Sequence, residues 1–183
     1  MTALRTSLAI AACLFLISAC GGNRTVESDL GIKGAPDWVN QGTQAISDED
    51  GRLIQGVGMA PPLGDESLQV TTADSRARAE IARVISSYVD ATLRDYSASS
   101  GNRADLAVNN SVNTTTQTVL NGAKVKGRWK DPKTGNIYAF AELDLEALEE
   151  AIAAAKSLSA NFKQYFSDNA NAGFDRFVKD SAQ

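Results

Sequence analysis

The stretch KVKGRWKDPKTGNIYAF, residues 124–140, carries the clearest structural pattern of the chain. In its first half small or apolar residues alternate with cations, and a period of two is typical of a β-strand. The next segment, DPKTGN, has Asp131 to bond its own backbone, Pro132 to fix φ, and Gly135 to adopt positive φ. Alternation then resumes in IYAFAELDL. Residues 123–145 are therefore predicted to form a β-hairpin.

The cations of this hairpin allow two interpretations. A single row on the solvent side of the first strand would leave Trp129 in the core, and such a row also blocks edge-to-edge pairing. Alternatively, the row and nearby aromatic residues form a surface for a partner or ligand. We expect the row of Lys124, Lys126, Arg128 and Lys130 to be solvated. The alternative surface consists of Trp38, Lys124, Lys126, Arg128, Trp129, Lys130 and Tyr138.

Upstream of the hairpin, a strand is predicted at 53–60 and a long helix at 66–97. Gly56 and Gly58 share one face of the strand, where a helix could approach closely. Apolar residues in 66–97 recur every three or four positions, which predicts one apolar helix face. Thr71 and Asp74 could instead form a capping box at a later helix start. Asp74 is also expected to pair with Arg78, one helical turn away.

Two further helices are predicted from the same periodicity. Residues 105–121 are rich in strand-favouring Thr and Val, but their apolar residues repeat at helical intervals, so we predict a helix. Asp144 is predicted to cap a helix that continues through Phe166. Together these elements predict an α+β fold: a small antiparallel sheet with the long helix and further helices packed on one face.

The N-terminus has the features of an export signal. Met1–Arg5 carries one cation, residues 7–17 are apolar but too short to span a bilayer, and ISAC follows. The ISAC segment resembles the lipobox of bacterial lipoproteins, which implies cleavage after Ala19 and acylation of Cys20. An ordinary signal peptide that leaves a cysteine first is the alternative. Cys13 lies in the removed segment, so lipidation would leave the exported chain without a free thiol.

The predicted organisation has four parts. They are a signal peptide at 1–19, a lipidated N-terminus and small, polar tether at 20–35, an α+β domain at 36–145, and a C-terminal helical extension at 146–183. Gly21, in place of Asp, is similar to the sorting pattern of outer-membrane lipoproteins. The expected location is therefore the outer membrane, facing the periplasm, with membrane lipid contacted through acylated Cys20.

Composition excludes several kinds of function. The chain has 18 Lys and Arg against 22 Asp and Glu, a formal net charge of −4, so an acidic exported protein is not expected to bind nucleic acid. It has no histidine, the commonest general base and metal ligand. GVGMAP at 56–61 places Pro61 where a dinucleotide loop needs its third glycine. DEDG at 48–51 is interpreted as a polar turn. We expect no enzyme, cofactor or metal.

The order of these segments resembles the Lpp-twenty family of small bacterial outer-membrane lipoproteins, which includes a flagellar-motor lipoprotein. The resemblance rests on the helix segment ADSRARAE, residues 73–80, and on the hairpin from Gly122 to Ala139, and it covers roughly residues 38–144. It implies an α+β domain with no known enzymatic site. Lipidation of Cys20 is the only residue function that it carries over.

Three roles remain open from the sequence. The first is a structural or scaffolding role in the cell envelope, with an envelope protein or a second copy as partner, and the flagellar motor as one setting. The second is regulation of the peptidoglycan-synthesis machinery. The third is small-molecule or glycan binding in a groove lined by Trp38, Trp129 and Tyr138.

Overall fold

The computed structural model describes residues 31–48, 50–100 and 122–181. The predictions on Ala19, Cys20 and the signal peptide, on most of the tether, and on the helix at 105–121 lie outside these ranges. The described elements, in chain order, are α1 (Asp37–Gln41), β1 (Gln44–Asp48), β2 (Gly51–Ala60), α2 (Glu66–Ser100), β3 (Lys124–Lys130), β4 (Ile137–Asp144), α3 (Leu145–Ala154) and α4 (Ala160–Ser181).

The strands form one antiparallel sheet in the order β1-β2-β4-β3. The predicted hairpin is confirmed as β3 and β4, and its turn is built as expected. Asp131 accepts hydrogen bonds from the Lys133 amide (2.9 Å) and the Thr134 hydroxyl (2.6 Å), and Gly135 has φ of 73°. These two bonds hold the pKa of Asp131 below its ordinary value, and the bond from the Thr134 hydroxyl has the larger effect.

The long helix α2 packs directly on the sheet. A Cβ added to Gly56 or Gly58 would collide with the backbone of α2 near Ala77, so both glycines are needed for this approach, as predicted. The helix begins at Glu66. Asp65 accepts hydrogen bonds from the amides of Ser67 (2.8 Å) and Leu68 (3.1 Å) and so supplies the N-cap. The proposed later start is wrong, because the Thr71 hydroxyl donates to the carbonyl of Ser67 within the helix.

The C-terminal residues form two helices. Asp144 caps α3 as predicted, accepting a hydrogen bond from the Glu146 amide at 3.0 Å. The prediction of one continuous helix through Phe166 is wrong, because the chain leaves the helical conformation at Ala155 and α4 starts at Ala160. The Ser159 hydroxyl accepts a hydrogen bond from the Phe162 amide (3.2 Å), which satisfies a free donor of the new helix.

One hydrophobic core joins the sheet, α2 and both C-terminal helices. Phe162, Phe166 and Phe174 of α4 are fully buried against α2, where the Tyr88 ring lies 5.4 Å from that of Phe174. The described residues from Ile32 to Ser181 belong to one compact unit. Asp175 of α4 also binds Arg52 of β2 through two hydrogen bonds of 3.0 Å, which places α4 on the same sheet face as α2. The α+β prediction is therefore confirmed, with α2 and α4 on one sheet face.

Two elements were not predicted. β1 pairs with β2 so that Asp48 lies opposite Gly51, and the Asp48 carboxylate accepts a hydrogen bond from the Asp50 amide at 2.9 Å. This agrees with the interpretation of DEDG as a polar turn. The short helix α1 precedes β1 and places Trp38 on the sheet.

Candidate functional site: the open face of the sheet

A bulge in β3 divides the predicted cationic row. Its register against β4 shifts between Val125 and Gly127, so one extra residue enters β3. Before the bulge, Lys124 pairs with Glu142 on the face away from α2, here called the open face. After it, Arg128 pairs with Ala139 on the face that α2 covers. The prediction of one solvated row of four cations is therefore wrong.

The two cations after the bulge pair with acidic residues of α2. Arg128 makes a two-pronged contact with Asp74, at 2.7 and 2.6 Å, and Lys130 contacts Glu66 at 2.9 Å. The hydrogen bond to Asp74 raises the pKa of Arg128. The expected pairing of Asp74 with Arg78 is also wrong, because Asp74 faces β3 and binds Arg128. Arg128 and Lys130 therefore connect β3 to α2 and lie apart from the other candidate surface residues.

The same bulge places Trp129 on the open face, where Tyr138 and Phe140 lie by the regular alternation of β4. Trp129 pairs across the strands with Tyr138, with ring centroids 5.5 Å apart, and Phe140 shares their face. Trp38 of α1 stacks on Phe140, with centroids 5.5 Å apart and planes at 29°, and lies over Gly127. The prediction of a core position for Trp129 is wrong, since it is half-buried on the uncovered face. We call Trp38, Trp129, Tyr138 and Phe140 the aromatic face.

A polar row lies beside the aromatic face. Gln55 accepts a hydrogen bond from Gln44 (3.0 Å) and donates one to Glu142 (3.4 Å). Lys126, at the bulge, contacts the same Glu142 at 3.4 Å. The open face thus combines half-buried aromatic rings with amide, carboxylate and ammonium groups, which together can bind a ligand with both apolar and hydroxyl-bearing surfaces.

The structure brings five of the seven predicted surface residues to this face. Trp38, Lys124, Lys126, Trp129 and Tyr138 lie there, whereas Arg128 and Lys130 do not. Sequence reasoning missed Phe140, although its spacing of two from Tyr138 places it on the same strand face. Gln55 and Glu142 were also missed, because only strand pairing brings them together across 87 residues of sequence.

The helix side offers a cleft between α2 and α4, but its polar groups bind one another. Arg176 contacts Asp95 at 3.4 Å, and the Tyr88 hydroxyl donates to the Ala170 carbonyl at 2.8 Å. Burial raises the pKa of Tyr88 to about 12, so this phenol stays protonated at neutral pH and cannot act as a base.

Within residues 31–48, 50–100 and 122–181, no three His, Cys, Asp or Glu side chains are grouped closely enough to hold a metal ion. No helix in those ranges has both the length and the apolar character needed to cross a membrane.

No protein-family model matches the chain, and no curated protein is significantly similar to it. The resemblance to the Lpp-twenty family stays a prediction from the segments quoted above.

Proposed function

We propose that this protein is a lipid-anchored, non-enzymatic scaffolding protein of the bacterial outer membrane whose domain binds an envelope partner. The observation that carries the binding role is the aromatic face, where Trp38, Trp129, Tyr138 and Phe140 lie half-buried on the sheet face opposite α2. Clustered aromatic residues are enriched at protein interfaces, because they bury much area at little cost in conformational entropy. The ISAC segment supports the anchor, and the lack of histidine supports a role without catalysis.

The anchor is tested with two serine substitutions. We expect Cys20→Ser to move the protein from the outer-membrane fraction to the soluble periplasmic fraction or to block its processing, because the thiol that accepts the diglyceride is lost. Cys13→Ser is the matched control and should leave fractionation unchanged, since Cys13 lies in the removed segment. A processed Cys20→Ser protein that stays in the outer membrane would refute the anchor.

The binding surface is tested by photo-crosslinking in cells. A photoreactive amino acid at Lys124, exposed beside the aromatic face, should give a discrete crosslinked product. The same group at Asp90, exposed on the outer side of α2, is the control and should not. Identical products from both positions, or none from Lys124, would refute the surface. The identity of the product separates a scaffold or motor component, a second copy and a peptidoglycan synthase.

Glycan binding is a second candidate, favoured by the polar row of Gln44, Gln55 and Glu142 beside the aromatic face. Sugar rings stack on aromatic side chains while their hydroxyls bond amides and carboxylates. Titration calorimetry with soluble peptidoglycan fragments should then give heat that Trp129→Ala abolishes. Equal heats for the two proteins would eliminate this candidate.

A further inference from the structure

The large apolar side chains exposed in the described residues all lie at one end of the domain. Met59 is 37% exposed at the end of β2, Leu63 is 43% exposed in the following loop, and Leu68 is 54% exposed in the first turn of α2. Pro61 and Pro62, between them, are exposed as well. Isolated exposed leucines need no explanation, but a group on either side of one short loop marks a contact surface.

This surface continues into the aromatic face. Met59 pairs with Tyr138 across β2 and β4, and Tyr138 pairs with Trp129 across β4 and β3. These residues therefore form one row across three strands, at the end of the sheet where the loop with Leu63 and the first turn of α2 with Leu68 also lie. We call Met59, Leu63, Leu68, Trp129 and Tyr138 the apolar end.

Hydrogen bonds hold the loop of the apolar end in place. The buried Gln69 side chain donates to the carbonyls of Ala60 (3.0 Å) and Gly135 (2.9 Å), which joins the start of α2 to β2 and to the hairpin turn. Arg76 donates to the Met59 carbonyl at 2.6 Å. The loop with Leu63 and the first turn of α2 with Leu68 are therefore fixed in place, which lowers the entropic cost of binding.

The composition of the apolar end matches a membrane interface. Leucine, tryptophan and tyrosine partition to the boundary between headgroups and acyl chains, and lysines beside them extend to phosphates. Lys133 is exposed in the hairpin turn beside them. The acidic Glu66 at this end is paired with Lys130, and the Asp65 carboxylate caps α2, so both carboxylates already have partners.

We propose that the apolar end docks on the phospholipid surface of the membrane to which the chain is anchored. This inference depends on the proposed acylation of Cys20, which lies about a dozen residues before Ile32 in the sequence. The chain enters the fold beside the open face. The Ile32 amide donates a hydrogen bond to the Asn40 side chain of α1 at 2.8 Å, and Trp38 of α1 stacks on Phe140, which follows Tyr138 by two residues on the same face of β4.

The anchor makes weak docking sufficient. It converts contact with the bilayer into an intramolecular event, with an effective concentration in the range of about a millimolar or more. A few partly exposed side chains, too small a surface to hold a free protein on lipid, then keep the domain oriented. A docked domain presents its apolar end to the lipid, and Trp38, Phe140, the polar row and Lys124 remain available to a partner.

The test uses the full-length acylated protein in vesicles of phosphatidylethanolamine and phosphatidylglycerol. Trp38→Phe keeps a ring on Phe140 and leaves Trp129 as the only tryptophan. Lipids brominated near the headgroup should then quench Trp129 fluorescence. Leu63→Gln with Leu68→Gln should reduce this quenching at least about threefold without changing flotation, because the lipid anchor is intact. Both leucines are exposed, so the variant should keep its circular dichroism spectrum.

The matched control is Ala153→Gln with Ala172→Gln, which adds two glutamines at exposed positions of α3 and α4 and should leave quenching unchanged. Flotation without quenching, or equal quenching in all variants, would overturn docking while the anchor stands. Failure to float would overturn the anchor and docking together. A dimer in solution that Leu63→Gln dissociates, without quenching, would assign the apolar end to a second copy.

Discussion

At the scale of single residues, Gly58 shows how the position of α2 depends on one missing side chain. It lies in β2 on the face that meets α2, and a Cβ at that position would collide with the α2 backbone at Ala73, Arg76 and Ala77. We expect Gly58→Ala to lower the free energy of unfolding by about 3 kcal/mol or more, because backbone must move. Urea unfolding of the two proteins measures the loss.

The control for this substitution is Gly127→Ala in β3. A Cβ there would meet only the Trp38 ring, at 4.0 Å, which is ordinary van der Waals contact. We expect a change of less than about 1 kcal/mol. Similar losses at Gly58 and Gly127 would contradict the close approach of α2 to β2.

Asp131 makes the turn of the hairpin sensitive to acid. Its pKa is lower in the folded protein than in the unfolded chain, so its stabilising contribution is complete above the unfolded pKa and is lost as pH falls through the folded one, below about pH 4. Asp131→Asn should be less stable than the wild type at pH 7, with a difference that narrows by pH 3. Urea unfolding at both pH values checks this, with exposed Asp90→Asn as control. A difference in unfolding free energy that is the same at pH 7 and pH 3 would mean that the charge of the Asp131 carboxylate does not cause it.

At the scale of elements, two ion pairs join β3 to α2 with different geometry. Asp74 is only 13% exposed and meets Arg128 through two bonds, whereas Glu66 is 69% exposed and meets Lys130 through one. A double-mutant cycle with alanine should give a coupling energy of about 1 kcal/mol for Asp74–Arg128 and under about 0.5 kcal/mol for Glu66–Lys130. Equal couplings would mean that neither geometry nor burial distinguishes them.

The local sequence pattern predicted the helices and strands better than it predicted which residues contact one another across them. The hairpin, the long helix and the Asp144 cap follow from residues close in sequence, and all are present. The pairing of Asp74 was mispredicted because the nearest cation along a helix is not its nearest cation in space: Arg128 is 54 residues away. β1 was missed because QAISD is short and its partner strand supplies the pairing.

At the scale of the whole molecule, the single core predicts that the sheet and the C-terminal helices unfold together. Phe174 is fully buried beside Tyr88 of α2. Phe174→Ala should cost about 3–5 kcal/mol by creating a cavity. Tryptophan fluorescence, from Trp38 and Trp129 on the sheet, should follow the same urea transition as helical circular dichroism. Lys179→Ala, at an exposed position of α4, is the control and should leave the stability nearly unchanged. Separate urea transitions by fluorescence and by circular dichroism would mean that α4 unfolds independently of the sheet.

The sequence by itself determined the local elements of this protein and its chemical limits. Alternation and turn residues specified the hairpin, apolar periodicity specified α2, and composition removed histidine chemistry. Only the tertiary structure decided which side chains share a surface. One extra residue at the bulge reverses the strand face, so Lys124 stays beside the aromatic face while Arg128 and Lys130 turn to acids of α2. The physical reason is that a period of two defines two faces without stating which one a distant helix will cover.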